Sequence, residues 1–454
     1  MMMKIILKKK SIPHLYDNTY TDTVEEHMLV YNPLSTKGLS VLNKEAAYLF
    51  NYIDSKKSLD DIYLLVKKQE PTVTFANIKV AFLSFLSSDL IYFEKKINPF
   101  LLPNPFLKVF EVWFHITNEC NLRCKYCYVK KTPDHMNDEL AKKAIGKIIH
   151  DAAKHNFDKV MIKFSGGECL LEFPRLIRLV DFGRKMAKQQ GIDIGYSILT
   201  NGVLITNKVA EIIKKKKIEI GVSIDGFEKE HDKQRVFMNK LGSFKYVEKG
   251  IKNLQKNKVR FHVMTTITSL NVKKIPSYIE YLLENNIRFV FNLYHENENA
   301  EDGLNVDNAT LIKYLSKTCD VIYNNVPKEN IISNFFEGVS FVLPHIHACG
   351  VGSDYLVVRH DGKLALCATD IDNIVGSIND EDIIHSVIKG FSKRKRSTVE
   401  NMPVCRTCQW KYICCGGCPL SSQTSSIYCS LYMAIIPKLL KIEAKRMILY
   451  PKKP

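Results

Sequence analysis

Cys120, Cys124 and Cys127 stand in the spacing C-x3-C-x2-C directly after an apolar run, within Phe114-His115-Ile116-Thr117-Asn118-Glu119-Cys120-Asn121-Leu122-Arg123-Cys124-Lys125-Tyr126-Cys127-Tyr128. Three thiolates can hold three irons of a [4Fe-4S] cube and leave the fourth iron open to an outside ligand. An open iron signals chemistry rather than scaffolding. Structural zinc is the plain alternative, but it favours paired C-x2-C units with a matching second pair nearby. No such pair lies near Cys120.

A second set of thiols begins at Cys349. Cys367 follows in Gly362-x4-Cys367, then come Cys405-x2-Cys408-x5-Cys414-x3-Cys418 and finally Cys429. A zinc ribbon is the competing reading here, because C-x2-C serves both metals. Cys169 and Cys319 have no motif partner and read as small buried apolar residues, Cys169 less clearly because it follows Glu168.

These groups need elements that bring them to one place. Apolar runs at 112–117, 159–164, 194–199, 219–224, 259–268 and 289–294 read as strands, with helical patterns between them such as 139–155 and 244–257. Alternation of this kind predicts parallel pairing, right-handed crossovers and working loops at the carboxyl ends of the strands. Cys120 follows the first strand, Gly166-Gly167-Glu168 the second, Asn201-Gly202 the third and Asp225-Gly226 the fourth. All fall at the same end. Alone, each glycine-bearing tripeptide is ordinary turn chemistry.

Taken together, the cysteine run with its flanking aromatics and Ser165-Gly166-Gly167-Glu168 one β/α unit later resemble the signature of the radical S-adenosylmethionine enzymes. The resemblance implies an α/β fold with a partial (β/α)6 TIM-like barrel, here over 109–325. It implies that Cys120, Cys124 and Cys127 carry a [4Fe-4S] cluster whose open iron chelates S-adenosylmethionine. One electron then cleaves the sulfonium to a 5'-deoxyadenosyl radical. In that family the glycines let the backbone approach the ligand, and Glu168 would accept from the methionine ammonium. Ser223 and Asp225, in Ser223-Ile224-Asp225-Gly226, would contact the ribose or the methionine carboxylate. His231-Asp232-Lys233-Gln234-Arg235 and Gly242-Ser243-Phe244 look like a segment of the peptide-modifying branch. Arg235 would neutralise a carboxylate in the site or form a surface salt bridge.

The seven C-terminal cysteines and Gly-x4-Cys match the SPASM extension of the same enzymes, here 326–454, which carries two auxiliary [4Fe-4S] clusters. By that resemblance Cys405, Cys408, Cys414 and Cys429 ligate the outer one. Cys349, Cys367 and Cys418 ligate the inner one, which lacks the fourth cysteine of some relatives and has an open iron, a water, a side chain or Cys415 in its place.

Residues 1–97 precede the chemistry. Extended stretches at 4–8 and 28–31, helical patterns at 44–53, 59–68 and 75–86, and a strand at 90–93 fit a winged-helix-like module. Ser58-Leu59-Asp60-Asp61 fits a capping box with Asp in place of Glu. Leu42 to Phe50 and Ser58 to Ile62 resemble the recognition element of enzymes that modify ribosomally made peptides, which takes a leader peptide as an added strand. A structural domain or a nucleic-acid-binding winged helix is the alternative. Pro99, Pro103 and Pro105 mark a linker over 98–108.

The chain has 454 residues, 46% apolar and with a net charge of +17. The basic residues fall in short scattered runs such as Lys214 to Lys217 and Lys393-Arg394-Lys395-Arg396, with no recognition motif, so the charge does not point to nucleic acid. No apolar run reaches membrane-spanning or signal-peptide length, which predicts a cytoplasmic protein whose thirteen cysteines serve metals and not disulfides. The expectation is a radical S-adenosylmethionine maturase. Its partners would be a leader-bearing precursor peptide and a reductase such as flavodoxin or ferredoxin, and its reaction a thioether crosslink. An aldehyde-forming sulfatase-type maturase, a carbon-carbon crosslinker, an epimerase and a cofactor-precursor maker are the enzyme rivals, and a redox-sensing nucleic-acid binder the rival from another class.

Overall fold

The computed structural model describes residues 7–94, 96, 98, 100, 108–330, 335, 339, 341, 343–393, 398–418 and 427–451. Most of the stretch expected at 4–8, the three linker prolines and Arg394, Lys395 and Arg396 lie outside the described residues.

The N-terminal part starts with β1 (His14–Leu15), then β2 (Tyr20–Val24), β3 (His27–Tyr31) and β4 (Leu39–Leu42). Three helices follow, α1 (Lys44–Phe50), α2 (Leu59–Gln69) and α3 (Phe75–Ser87), and β5 (Ile91–Tyr92) returns to pair with β1. The capping box at α2 forms: Ser58 N–H donates to Asp61 Oδ2 at 2.9 Å and Asp61 N–H to Ser58 Oγ at 3.3 Å. Strands β2, β3 and β4 make an antiparallel sheet in that order. Its two faces go to different cores, as the period of two dictates. Val30 and Leu42 pack with Phe50, Ile62 and Phe82 beneath the helices, while Leu29 and Tyr31 enter the main core of the molecule.

The centre is a mostly parallel sheet. Its strands are β6 (Val109–Thr117), β8 (Lys159–Gly166), β9 (Asp193–Thr200), β10 (Glu219–Ser223), β12 (Phe261–Ile267) and β13 (Arg288–Leu293), after a short β7 (Leu122–Cys124) and with β11 (Arg235–Phe237) between β10 and β12. The six long strands pair in parallel in chain order. Crossovers are α4 (Asp138–Lys154), α5 (Phe173–Gln190), α6 (Asn207–Lys215), a short α7 (Glu228–Asp232) with α8 (Phe244–Lys256), and α9 (Ile275–Glu284). Phe110, Val112, Phe114 and Ile116 of β6 are fully buried in one core with Ile145, Ile148 and Ile149 of α4. Each such side chain contributes about 1.5–3 kcal/mol on leaving water. The alternate residues Glu111, Trp113, His115 and Thr117 take the opposite face.

The sheet does not stop at six strands. After α10 (Asn308–Asn324), β14 (Tyr355–Val358) pairs parallel to β6, and β15 (Lys363–Ala365) and β16 (Ile374–Ser377) follow antiparallel, making nine strands. Then come α11 (Ile383–Ser392), a single turn α12 (Lys411–Cys414) and the long α13 (Cys429–Leu449). Helix α13 packs against α10 and the N-terminal sheet. Lys441 and Lys445 pair with Asp22 and Glu25 at 3.0 and 3.4 Å. Among the described residues no helix is long and apolar enough to cross a membrane.

Candidate active site

The three leading cysteines occupy the loop that leaves β6. Strand β7 within it pairs antiparallel with β11, which makes Arg235 the register partner of Cys124. Cys127 N–H donates to Cys124 O at 3.2 Å, turning the chain so that the third thiol comes back toward the first two. Burial raises the Cys120 and Cys124 thiols. Lys131 offsets part of this at Cys120 and Arg235 part at Cys124, while Cys127 acts on both in the raising direction. The thiols are therefore electrical neighbours. Among the described residues no three donors converge on one ion. A cube asks for neighbours of this kind, because each thiolate meets an iron of its own.

Every sulfur in the loop also has a donor beside it. Lys131 Nζ lies 3.0 Å from Cys127 Sγ, Arg235 Nη1 3.6 Å from Cys124 Sγ, and Asn201 Nδ2 3.9 Å from Cys120 Sγ.

Gly166, Gly167 and Glu168 lie at the carboxyl end of β8, against this loop. Gly167 N–H donates to Thr117 O at 2.7 Å and Glu168 N–H to Glu119 O at 2.8 Å. A Cβ on Gly166 would stand 2.2 Å from Thr117 O, and one on Gly167 2.0 Å from Glu119 O. The close approach these glycines permit is thus to the backbone of the cysteine loop. Glu168 is fully buried and its carboxylate accepts from Leu170 N–H (2.9 Å), Thr200 Oγ1 (2.7 Å) and Asn201 N–H (2.8 Å). Burial raises its pKa and these three donors pull it back. A carboxylate has about four acceptor positions, so one remains for a further donor such as an ammonium.

Ser223 ends β10, half-buried. Asp225 is fully buried, and its carboxylate is taken up inside the protein: Oδ2 accepts from Arg235 Nε at 2.8 Å and Tyr126 OH at 2.6 Å, and Oδ1 from Thr266 N–H at 3.0 Å. The carboxylate that Arg235 neutralises is the chain's own, and the pair is buried, not a surface bridge. The Arg235 guanidinium also lies over the Tyr126 ring, 5.2 Å from its centroid. Behind it, Asp225 N–H donates to His231 Nδ1 at 3.3 Å. His231 Nε2 then meets Ser243 Oγ at 2.9 Å, and Ser243 Oγ–H donates to Arg235 O at 2.8 Å. Burial holds His231 neutral, with a pKa of about 3. So the His231 to Ser243 segment positions Arg235 and Asp225.

In the C-terminal set, Cys405, Cys408 and Cys429 all act on Cys414, whose thiol burial pushes up to about 12. These four are the residues expected around the outer cluster, and a tight turn (Cys408 N–H to Cys405 O, 2.8 Å) and the start of α13 bring them together. Cys367 is carried in by the β14–β15 hairpin, whose turn closes at Gly362, and its sulfur lies 3.2 Å from Thr369 Oγ1. Cys349 lines a cavity of about 490 Å³ with His345, His347 and Asp354. Cys418 acts on Tyr428 at the foot of α13. Cys169 and Cys319 are fully buried, Cys169 donating to Leu199 O at 3.4 Å, as structural cysteines do.

Sequence reasoning passed over Lys131 and the Tyr126 hydroxyl. The signal for Lys131 was its position four residues after Cys127 in a turn-rich stretch.

The fold and the cysteine loop define a class: residues 114–282 match the Radical SAM superfamily, and the chain belongs to it. An uncharacterized protein of Methanocaldococcus jannaschii is 30% identical over 276 residues, 59% of this chain and 88% of that protein. The cysteine-type anaerobic sulfatase-maturating enzyme of Clostridium perfringens strain 13 is 25% identical over 326 residues, 66% of this chain and 85% of that one. Among solved structures, native anSMEcpe with bound AdoMet has the same fold, with a TM-score of 0.62 at 21% identity over 74% of this chain and 99% of that one. The same protein with AdoMet and the Cp18Cys peptide gives 0.61 over 74% of this chain and 99% of that one, also at 21% identity.

Proposed function

We propose that this radical S-adenosylmethionine enzyme matures a ribosomally made peptide, gripping a leader segment on residues 1–97 and installing a thioether between a cysteine sulfur and a carbon of another residue. The cluster and S-adenosylmethionine supply the hydrogen-abstracting radical. Cys120, Cys124 and Cys127 hold the cluster. Gly166 and Gly167 set the backbone against the cysteine loop, Glu168 takes the methionine ammonium with its remaining acceptor position, and Ser223 faces the same end of the barrel. Asp225 acts through Arg235. Cys405, Cys408, Cys414 and Cys429 hold the outer auxiliary cluster, and Cys349, Cys367 and Cys418 the inner one, within a SPASM-type segment over 326–454. A flavodoxin or ferredoxin delivers the electrons.

The observation that carries the peptide reading is the free edge of β4. Among the described residues β4 pairs only with β3. Its other side opens on a groove of about 970 Å³, lined by Leu39 and Val41, by Ala81 and Ser84 of α3, and by Leu440 and Met447 of α13. An exposed edge beside apolar pockets is what an extended peptide uses when it adds as a strand. Ser84→Trp, an exposed position on the groove wall, should weaken binding of a leader-bearing peptide at least tenfold by calorimetry with iron content equal to wild type. Equal affinity would sink the leader role.

The sulfatase-type alternative is favoured by the relative from Clostridium perfringens. Product mass separates the two: a thioether keeps the sulfur and loses two hydrogens, whereas aldehyde formation exchanges the thiol for a carbonyl oxygen.

A further inference from the structure

Lys131 and Arg235 both reach the cysteine loop, yet their charges are handled differently. Arg235 is balanced by Asp225 at 2.8 Å, so what it offers Cys124 is the positive end of a buried dipole. Lys131 Nζ stands 3.0 Å from Cys127 Sγ, and among the described residues no carboxylate forms an ion pair with it. Its charge acts on the sulfur undiminished by a partner. A one-electron reduction makes a thiolate-ligated cluster one charge more negative, and a cation in hydrogen-bond contact with a ligating sulfur favours that state over the oxidised one. Outer groups of this kind tune a metal site without touching the metal.

We infer that Lys131 sets the reduction potential of the cluster on Cys120, Cys124 and Cys127, raising it through the ammonium-to-sulfur contact at Cys127, with Arg235 as the fixed second donor at Cys124. The role is one of positioning charge; Lys131 touches no reacting atom. Two features keep the donors in place. Arg235 is locked by register pairing with Cys124, by Asp225 and by the Tyr126 ring. Lys131 lies four residues beyond Cys127, on the segment that Asn118 fastens through Thr132 at 3.0 Å.

The inference rests on the assignment of the three cysteines as cluster ligands, and the test separates the two. Full-length protein is reconstituted anaerobically and titrated potentiometrically. Electron paramagnetic resonance follows the signal that changes when S-adenosylmethionine is added, which marks the cluster with an open iron. At the wild-type midpoint, Lys131→Met should lower the ratio of reduced to oxidised cluster about tenfold, 59 mV for one electron. Lys131→Arg, which keeps the cation, should restore at least half of that shift. A fall under threefold in Lys131→Met, a Lys131→Arg midpoint equal to that of Lys131→Met, or failure of both variants to load this cluster would each overturn the inference. A wild-type protein with no S-adenosylmethionine-sensitive signal would instead remove the ligand assignment, and the inference with it.

Discussion

The Asp151 carboxylate, on the fully buried face of α4, accepts the backbone N–H of Ile383 at 2.9 Å, 232 residues further along the chain. It thereby satisfies one of the unpaired donors at the start of α11, and a negative charge at a helix N-terminus is favourable in itself. Lys147 Nζ and His150 Nδ1 hold its other oxygen at 3.0 and 2.9 Å. Asp151→Ala should cost about 1.5–3 kcal/mol, the range for hydrogen bonds to charged groups. Denaturant unfolding checks this; a loss under 0.5 kcal/mol, on the order of a neutral surface change, would mean the contact is incidental.

Gly167 and Gly146 offer a contrast. Gly167→Ala drives a Cβ to 2.0 Å from Glu119 O, so the cysteine loop must move. We expect a loss of about 3 kcal/mol and of iron at the first cluster. Gly146→Ala, in α4 with nothing within 4 Å of the added carbon, should stabilise by about 0.5–1 kcal/mol. The pair of variants is read by thermal unfolding and iron analysis, and a normally loaded Gly167→Ala protein would show the approach to be dispensable.

Iron content should follow the electrical grouping of the thiols. Cys414→Ala removes a member of the four-thiol set and should take about four irons from the reconstituted protein. Cys319→Ala, at a fully buried position in α10, should leave iron unchanged and lower stability only. Loss of iron in the second variant would contradict its structural role.

Acid should weaken the fold through the buried imidazoles. His231 has a pKa of about 3 and His115 of about 4, both lowered from 6.5 by burial. Below pH 6.5 the unfolded chain takes up protons that the folded chain refuses, so stability is full above about 6.5 and drains as pH falls. His231→Asn should flatten that acid limb in urea unfolding between pH 7 and 4.5. A limb of unchanged slope would place the acid sensitivity elsewhere.

The six barrel strands were legible because each is buried on its helix face and carries a run of β-branched or aromatic residues; the expected 159–164 and 289–294 appear as Lys159–Gly166 and Arg288–Leu293. The ribbon of β7 and β11 was not, because Leu122–Cys124 and Arg235–Phe237 are three residues each and one lies inside the cysteine motif. Nor were β14 to β16, whose three or four residues gain their order from the edge of β6. Helix α13 escaped for a different reason. Buried residues from Leu431 to Ala444 surround it on several sides, and Pro437 interrupts the pattern, so no single apolar stripe marks it. At the site, the residue types named the chemistry, but the partnership of Asp225 with Arg235 depended on contacts that only the fold creates.

Helix α13 has a consequence for the order of events in synthesis. The groove beside β4 joins residues near positions 27–46 and 81–85 to Leu440 and Pro451, so its two walls are made far apart in translation. An emerging chain presents the sheet edge first and acquires the opposite wall later, about 20–80 s apart at about 5–20 residues per second. A nascent protein therefore cannot seat a strand in the finished groove. The helix that completes it begins at Cys429 and is about 30 Å long, rising about 1.5 Å per residue over 21 residues. Synthesis of α13 precedes recognition.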